Sequence, residues 1–398
     1  MVRSKRFFVA ALSAVLCLLV VGAAWAEAPK NVILFIGDGM GFEQVKAASL
    51  YASGKEGTLA FEPYGKGEVM TRSVAAGRPT DSAAAATALA TGHKTANGRI
   101  GTTPDGRELP TVLECLARRG KWTGLVTTVP ITHATPAGFA AHCNNRNEYE
   151  KIAADYFERS RPNVLFGAYW ADGKGVTEAK ARAAGYAVVR TREALADFVH
   201  QSAGAADTLH VSGQFAAEQL PYEHDGGIHK GGRANVSYET APHLSEMTSV
   251  ALQILSRSPD GFFLMVEGGA LDWACHENHL ERAVGETLEF AKAFQIALNW
   301  AKGCPDTLIL VTADHECGGL KVRKAAPRGQ LPKVVWTTGG HTGTNVPLYA
   351  LGLGSERLEG VVDNTDLFGV MVGEDPPPAG TSVEQVPVSK EKQEALAP

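Results

Sequence analysis

The sequence predicts an α/β protein, a three-layer αβα sandwich around a large, mostly parallel central sheet. Two observations carry that prediction. Short runs rich in Val, Ile, Leu and Phe, among them 31–37, 262–266 and 307–313, are apolar at consecutive positions rather than alternate ones. Such runs suit strands buried on both faces, as in parallel sheets. Strand-like runs also alternate with helical stretches along most of the chain, the pattern of helices layered on a sheet. The 398 residues, 44% apolar and 20% charged, fit a soluble α/β enzyme folded as one unit.

The elements follow in order. Arg3, Lys5 and Arg6 precede an apolar run from Phe7 to about Ala24, and Ala24-Trp25-Ala26 fits a small-x-small cleavage site. Residues 1–26 therefore read as a secretory signal peptide, giving an exported, periplasmic or secreted protein with no stable membrane anchor. An uncleaved anchor is the competing reading, because the run approaches spanning length. Strand 31–37 ends in the tight turn Gly39-Met-Gly41 and a helix over 42–51, and 65–74 reads as a strand. The Ala-rich stretch 80–90 reads as a helix, with Thr80 or Asp81 as N-cap and Gly92 as its stop. A helix over 111–120 leads to a strand over 122–129. Thr135-Pro136 reads as an N-cap with proline at the first helical position.

Helices over 147–160, 176–184 and 192–200 alternate with strands over 163–168 and 186–190. The Gly- and His-rich segment 222–238 reads as loop, and 244–256 as helix. A helix runs from Glu281 to about Ala301. A Gly-rich, basic stretch over 318–333 precedes Thr338-Gly-Gly-His-Thr-Gly343, then a strand at 348–352 and a short helix at 364–372. Pro, Gly, Ser, Glu and Lys dominate 374–398, which reads as a disordered tail. That leaves 27–373 as the folded domain.

Charge narrows the partners. The chain has 38 basic and 43 acidic residues, and losing residues 1–26 removes three cations and no anions. The resulting excess of acid argues against a nucleic-acid-binding role. An anionic substrate would then need positive charge concentrated locally, as metal ions supply it. Cys115, Cys143, Cys275, Cys304 and Cys317 are odd in number and scattered, so at least one thiol stays unpaired in a monomer and no zinc-ribbon spacing is present.

The three long apolar runs each stop at metal-seeking residues. The first ends at Asp38, the second at Glu267 with Asp272 and His276 beyond it, and the third at Asp314-His315. Ligands of α/β sheets bind outside the carboxyl ends of the strands, so these groups can converge. Singly each has a bland explanation: a turn acid, a surface ion pair, a helix cap. Together they point to a multi-metal centre. Asp272, His276 and His341 offer the nitrogen and oxygen donors of a zinc site with an open position, and Asp38, Asp314 and His315 a second. Asp38, Thr135 and Glu267 form an all-oxygen set suited to magnesium. Ser82, at the start of the Ala-rich helix, is the nucleophile candidate, because the helix N-terminus favours an anion and a metal can activate a hydroxyl. Arg146 offers a planar fork for two phosphate oxygens. His142, His224, His229, His243 and His279 read as structural or solvent-facing. His229 and Lys230 lie in a loop that could border the site.

Six ordered segments resemble the alkaline phosphatase family: Asn31 to Gly41, Thr80 to Gly92, His133-Ala-Thr-Pro136, Val266 to His276, Thr312-Ala-Asp-His315 and Gly340-His-Thr-Gly343. The resemblance spans roughly residues 29–373. It implies a homodimeric phosphomonoesterase with two zinc ions, one magnesium ion and a phosphoserine intermediate, acting on diverse small-molecule phosphate monoesters. By it, Ser82 is the nucleophile and Arg146 grips phosphate. Asp272, His276 and His341 hold the zinc on the leaving-group side, and Asp38, Asp314 and His315 the zinc that activates Ser82. Thr135, Glu267 and the shared Asp38 hold the magnesium. The best-known bacterial pattern has Asp where this chain has His133 and Lys where it has Trp273. The change removes a cation near phosphate and brings a nitrogen to the third site, where zinc or cobalt then compete with magnesium. The connection from His315 to His341 is also short, without the accessory subdomain the family often inserts there. Other phosphoesterases of the same architecture are the nearest rival, and a binding protein without turnover is the rival from another class.

Overall fold

The three apolar runs lie side by side as parallel strands at the middle of one sheet. The computed structural model describes residues 28–74, 77–202 and 209–374. The strands are β1 (Asn31–Gly37), β2 (Gly65–Met70), β3 (Trp122–Pro130), β4 (Val164–Tyr169), β5 (Ala187–Val189), β6 (Val211–Ala217), β7 (Phe262–Gly268), β8 (Thr307–Thr312), β9 (Glu316–Cys317), β10 (Lys321–Lys324), β11 (Lys333–Val335), β12 (His341–Thr342), β13 (Val346–Gly352) and β14 (Gly360–Asp363). Ten of them form the main sheet, in the order β14-β2-β13-β8-β1-β7-β3-β4-β6-β5. Only β13 runs against its neighbours, β2 and β8. β9 pairs with β12, and β10 with β11, in two small antiparallel ribbons.

The helices are α1 (Phe42–Ser53), α2 (Ser82–Thr91), α3 (Val112–Arg118), α4 (Ala134–Ala140), α5 (Tyr149–Asp155), α6 (Glu178–Ala183), α7 (Arg192–Gln201), α8 (Leu244–Leu255), α9 (Ala270–His276), α10 (Leu280–Ala301) and α11 (Asp366–Val372). α1, α7, α8 and α10 pack together on one face of the sheet, and α2, α3, α4 and α11 on the other. This is the expected three-layer sandwich. Every residue of β1 and β8 is buried, which explains why these strands are apolar without alternation. Phe35 of β1 meets Phe290 and Phe294 of α10 edge-on, with ring centroids 5.7 and 5.8 Å apart. Phe139 of α4 stacks on Phe263 of β7 at 5.8 Å.

Several expectations need correction. Thr135 does not cap its helix: His133 occupies the N-cap position, and Thr135 and Pro136 lie inside α4. The strand expected over 65–74 stops at Met70. β6 carries no apolar run to announce it, because Ser212, Gly213 and Gln214 interrupt its apolar character. Ser212 and Gln214 are nonetheless buried, and Gln214 Nε2 donates to Ser212 Oγ at 3.2 Å. The Gly-rich, basic connection contains the β10–β11 ribbon, and β14 at the sheet edge was also unforeseen. The signal segment 1–26 lies outside the described residues, as does the tail beyond Glu374. Among the described residues, no helix is long and apolar enough to cross a membrane. The five cysteines of this region are all free thiols.

Candidate active site

Register brings the acids together. β1 lies between β8 and β7, pairing Ile36 with Thr312 and Gly37 with Gly268, while β3 pairs Thr127 with Glu267. Asp38, Glu267 and Asp314 therefore emerge at the carboxyl ends of three adjacent strands, where ligands of α/β sheets bind. Asp38, Glu267, Asp314 and His315 are fully buried, and Asp272 nearly so. One turn of α9 sets Asp272 and His276 on one face, as their four-residue spacing predicts. Their side chains meet at 3.2 Å, Asp272 Oδ2 to His276 Nε2. β12 carries His341 in beside them, with Nε2 3.6 Å from Asp272 Oδ1.

Three donor groups result, each with its ligand atoms within 4.8 Å of one another. The first is Asp272, His276 and His341, joined by Cys317. The second is Asp38, Asp314 and His315, with His315 Nε2 3.1 Å from Asp314 Oδ2 and 3.5 Å from Asp38 Oδ1. The third is Asp38, His133 and Glu267. Cys317 was not foreseen as a neighbour of the first group, although it follows His315 by two residues. It pairs directly with His341 across the β9–β12 ribbon. Thr127 was also missed. Its hydroxyl donates to Glu267 Oε2 at 2.5 Å, holding one oxygen while Oε1 is left without a partner.

The polar atoms around these groups fit cations. Both carboxylate oxygens of Asp38, Thr135 Oγ1, Glu267 Oε1, Asp272 Oδ1 and Asp314 Oδ2 are buried without a hydrogen-bond partner. Buried carboxylates left this way cost free energy unless positive charge neutralises them. Their titration reflects the same strain. Burial, then the charges of Asp314, Asp272 and Glu267, pushes Asp38 well above the carboxylate range. Burial raises Glu267 to about 7, and burial with the charge of Asp272 raises Asp314 to about 6. Burial would raise Asp272 too, but the hydrogen bond from His276 and the charges of His315 and His341 outweigh it and hold the carboxyl low. Its hydrogen bond with Asp272 lifts His276 to about 9 against the effect of burial. A cation among these oxygens would draw every one of the raised carboxyls back toward its ionised form.

Ser82 is the first residue of α2. The N-cap Asp81 accepts from the amide of Ala84 at 2.9 Å, and Gly92 ends the helix in the left-handed conformation. Ser82 Oγ lies 3.3 Å from His315 Nε2, beside the second donor group and at the positive end of the helix. Arg146 is placed by Asp81 and His133: Nη1 is 3.1 Å from Asp81 Oδ2, and Nη2 is 3.1 Å from His133 Nε2. A guanidinium has only donors, so His133 Nε2 accepts. Burial, and then the charge of Arg146, holds His133 down at about 3, hence neutral. Neutral His133 accepting through Nε2 carries its proton on Nδ1, so joining the third donor group would require a change of partner. Trp273 meets the His133 ring edge-on at 5.8 Å.

These groups open into a cleft of about 530 Å³ lined by Ser82, Arg146, Asp272, His276 and His341, and also by Trp170, Glu218, His229 and Lys230. The loop of His229 and Lys230 does border the site, so His229 is not merely structural or solvent-facing: its ring lies 5.3 Å from Trp273. His142 is buried against Glu114 at 3.5 Å, in keeping with a structural role.

Comparison with known proteins gives the same answer as the geometry. The family profile described as alkaline phosphatase matches residues 29–164 and 156–331. Alkaline phosphatase 3 of Bacillus subtilis is 32% identical over 85% of this chain and 87% of its own length. The chain belongs to the alkaline phosphatase family. This alkaline phosphatase is also 36% identical to streptomycin-6-phosphate phosphatase of Streptomyces griseus, over 86% of this chain and 89% of that one. Among solved structures, alkaline phosphatase from the Antarctic bacterium TAB5 superposes with a TM-score of 0.71 at 32% identity, covering 86% of this chain and 97% of the other, and a His-to-Asp variant of it, described with magnesium bound in its M3 site, superposes equally well. The protein is a phosphatase, and hydrolysis of phosphomonoesters is the activity that its family supports.

Proposed function

We propose that this alkaline phosphatase hydrolyses diverse exported or extracellular phosphate monoesters by two displacements through phosphoserine at Ser82. The observation that carries the reading is the position of Ser82, at a helix N-terminus, with a buried His and carboxylate donor set on one side and Arg146 in the same cleft. Ser82 Oγ gives up its proton to solvent and attacks phosphorus as the bond to the leaving oxygen breaks, and that oxygen takes a proton from solvent and departs as the alcohol. Water then attacks phosphorus, breaks the Ser82–phosphate bond and releases inorganic phosphate. Arg146, held by Asp81, presents its fork to two phosphoryl oxygens. The amide end of α2 adds positive potential where charge gathers.

Asp272, His276 and His341 would hold one zinc ion, and Asp38, Asp314 and His315 the second. Asp38, Thr135 and Glu267 would hold magnesium, with His133 and Trp273 tuning that third site. Bound there, the cations supply positive charge that activates the attacking oxygen and stabilises the leaving one in an in-line displacement. A His-to-Asp variant of the TAB5 enzyme is described with magnesium bound in its M3 site, which supports reading a third group of this kind as a metal site. We further propose that residues 27–373 are the catalytic domain, exported after loss of 1–26, and that it forms a homodimer through surfaces other than the short 316–340 connection.

The test is phosphate release. The zinc- and magnesium-loaded protein should hydrolyse a simple monoester far faster than a diester, and a chelator should abolish turnover until both metals are returned. Equal rates on the two esters, or full activity in chelator, would overturn the reading.

A further inference from the structure

One wall of the cleft holds neither metal donors nor phosphate contacts. Trp170 follows β4 and lines the same cleft as Ser82 and Arg146. Its ring packs against Tyr149, with centroids 4.6 Å apart and planes tilted by 36°. Its indole N–H donates to Thr132 Oγ1 at 3.0 Å. Glu218 brackets the residue from both sides: its amide donates to Tyr169 O at 2.8 Å, and its carboxylate accepts from the amide of Ala171 at 3.0 Å. Glu218 does this from a φ of 66°, a conformation that costs a non-glycine residue energy. The adjoining Gln219 takes the amide of His229 at 2.7 Å, which ties the loop bearing His229 to the same wall.

Trp170 is therefore fixed by a ring partner, an edge hydrogen bond and both flanking peptides, yet it stays only half-buried. A tryptophan held this firmly without full burial forgoes part of its hydrophobic stabilisation. What it gains is a flat, pre-oriented surface in the cleft it shares with Ser82 and Arg146, with little ordering entropy left to lose on binding. The cleft also has far more room than a phosphoryl group fills, in the range of small-ligand pockets. We propose that this wall is a leaving-group subsite for a planar heteroaromatic ring, and that nucleoside 5′-monophosphates are the substrate class it favours. The proposal rests on phosphomonoester hydrolysis at Ser82.

5′-AMP and ribose 5-phosphate share the same primary alcohol as leaving group, so their ratio isolates the base. The metal-loaded wild-type enzyme should show kcat/KM about tenfold higher for 5′-AMP, the size of a single base–aromatic stack. Trp170→Ala should bring 5′-AMP down to the ribose 5-phosphate value while leaving the latter within about twofold. Trp170→Phe should keep most of the preference. A wild-type ratio near one, or an equal fall on both esters in Trp170→Ala, would overturn the subsite. Failure to hydrolyse either ester would instead remove the reading of phosphomonoester hydrolysis at Ser82 beneath it.

Discussion

The Nε2 atoms of His276 and His341 face each other across 3.2 Å, while the Nδ1 of each ring meets a backbone carbonyl, Gly339 at 2.7 Å and Thr80 at 2.9 Å. A carbonyl only accepts, so Nδ1 of each ring carries a proton, and once His276 Nε2 gives up the proton it shares with Asp272 the two Nε2 lone pairs point together beside that carboxylate. A cation in that position is the natural mediator, and carbonyl contacts of this kind orient metal-bound histidines. Thr80 also lies two residues before Ser82, so the peptide that orients His341 leads into the nucleophile's helix.

His276→Ala and His341→Ala should therefore each lower the zinc content of the purified protein by about one ion per chain, since each removes one of three protein ligands of one site. Ser82→Ala should keep full metal content and lose turnover. Metal analysis that finds unchanged zinc in both histidine variants would move the ion elsewhere.

Arg146→Ala should reduce kcat/KM by about 10- to 150-fold, the range for losing a hydrogen bond to a charged group. Arg146→Lys should recover only part of it, because a point charge cannot reproduce the fork. Asp81→Asn should show a milder loss, since it loosens Arg146 while leaving a capable N-cap. Steady-state kinetics on one simple monoester separates these outcomes.

Trp273→Lys should strengthen inhibition by inorganic phosphate, by about tenfold for a cation placed near the anion. His133→Asp should raise the response to added magnesium, because aspartate supplies a hard, ionised oxygen where the histidine offers a nitrogen. Unchanged phosphate inhibition in Trp273→Lys would separate that residue from product binding.

Away from the active site, the carboxylate of Glu223, 2.9 Å from His243 Nδ1, raises the imidazole above its ordinary value, with burial opposing. A histidine raised in this way stabilises the fold fully below its unfolded value of about 6.5 and loses that contribution as pH rises through the folded value. His243→Gln should thus destabilise the protein by about 1 kcal/mol near pH 5.5 and by less near pH 9. Thermal unfolding at the two pH values measures the difference, and a penalty that grows with pH would contradict it.

The legible parts of this protein were those where one local pattern suffices. β1, β7 and β8 are buried on both faces, so their apolar runs announce themselves, and the acids behind them mark the strand ends. Asp272 and His276 needed only helical spacing, and Asp81 and Gly92 only cap chemistry. What stayed hidden depends on partners distant in sequence. Gln214 is acceptable in a buried strand because Ser212 satisfies it. Cys317 reaches the first donor group through its pairing with His341, and Thr127 meets Glu267 through strand register. His133, not Thr135, heads α4. The wall around Trp170 is assembled from Thr132, Tyr149 and Glu218, each on a different segment and none within a motif.

The central claim is that hydrolysis passes through a covalent phosphate on Ser82. Rapid acid quenching of the metal-loaded enzyme during turnover, followed by peptide mass spectrometry, tests it directly. The expected result is phosphate on the peptide containing Ser82, at Ser82 itself, and none in Ser82→Ala. Sustained hydrolysis by Ser82→Ala, with no phosphopeptide in the wild type, would contradict it.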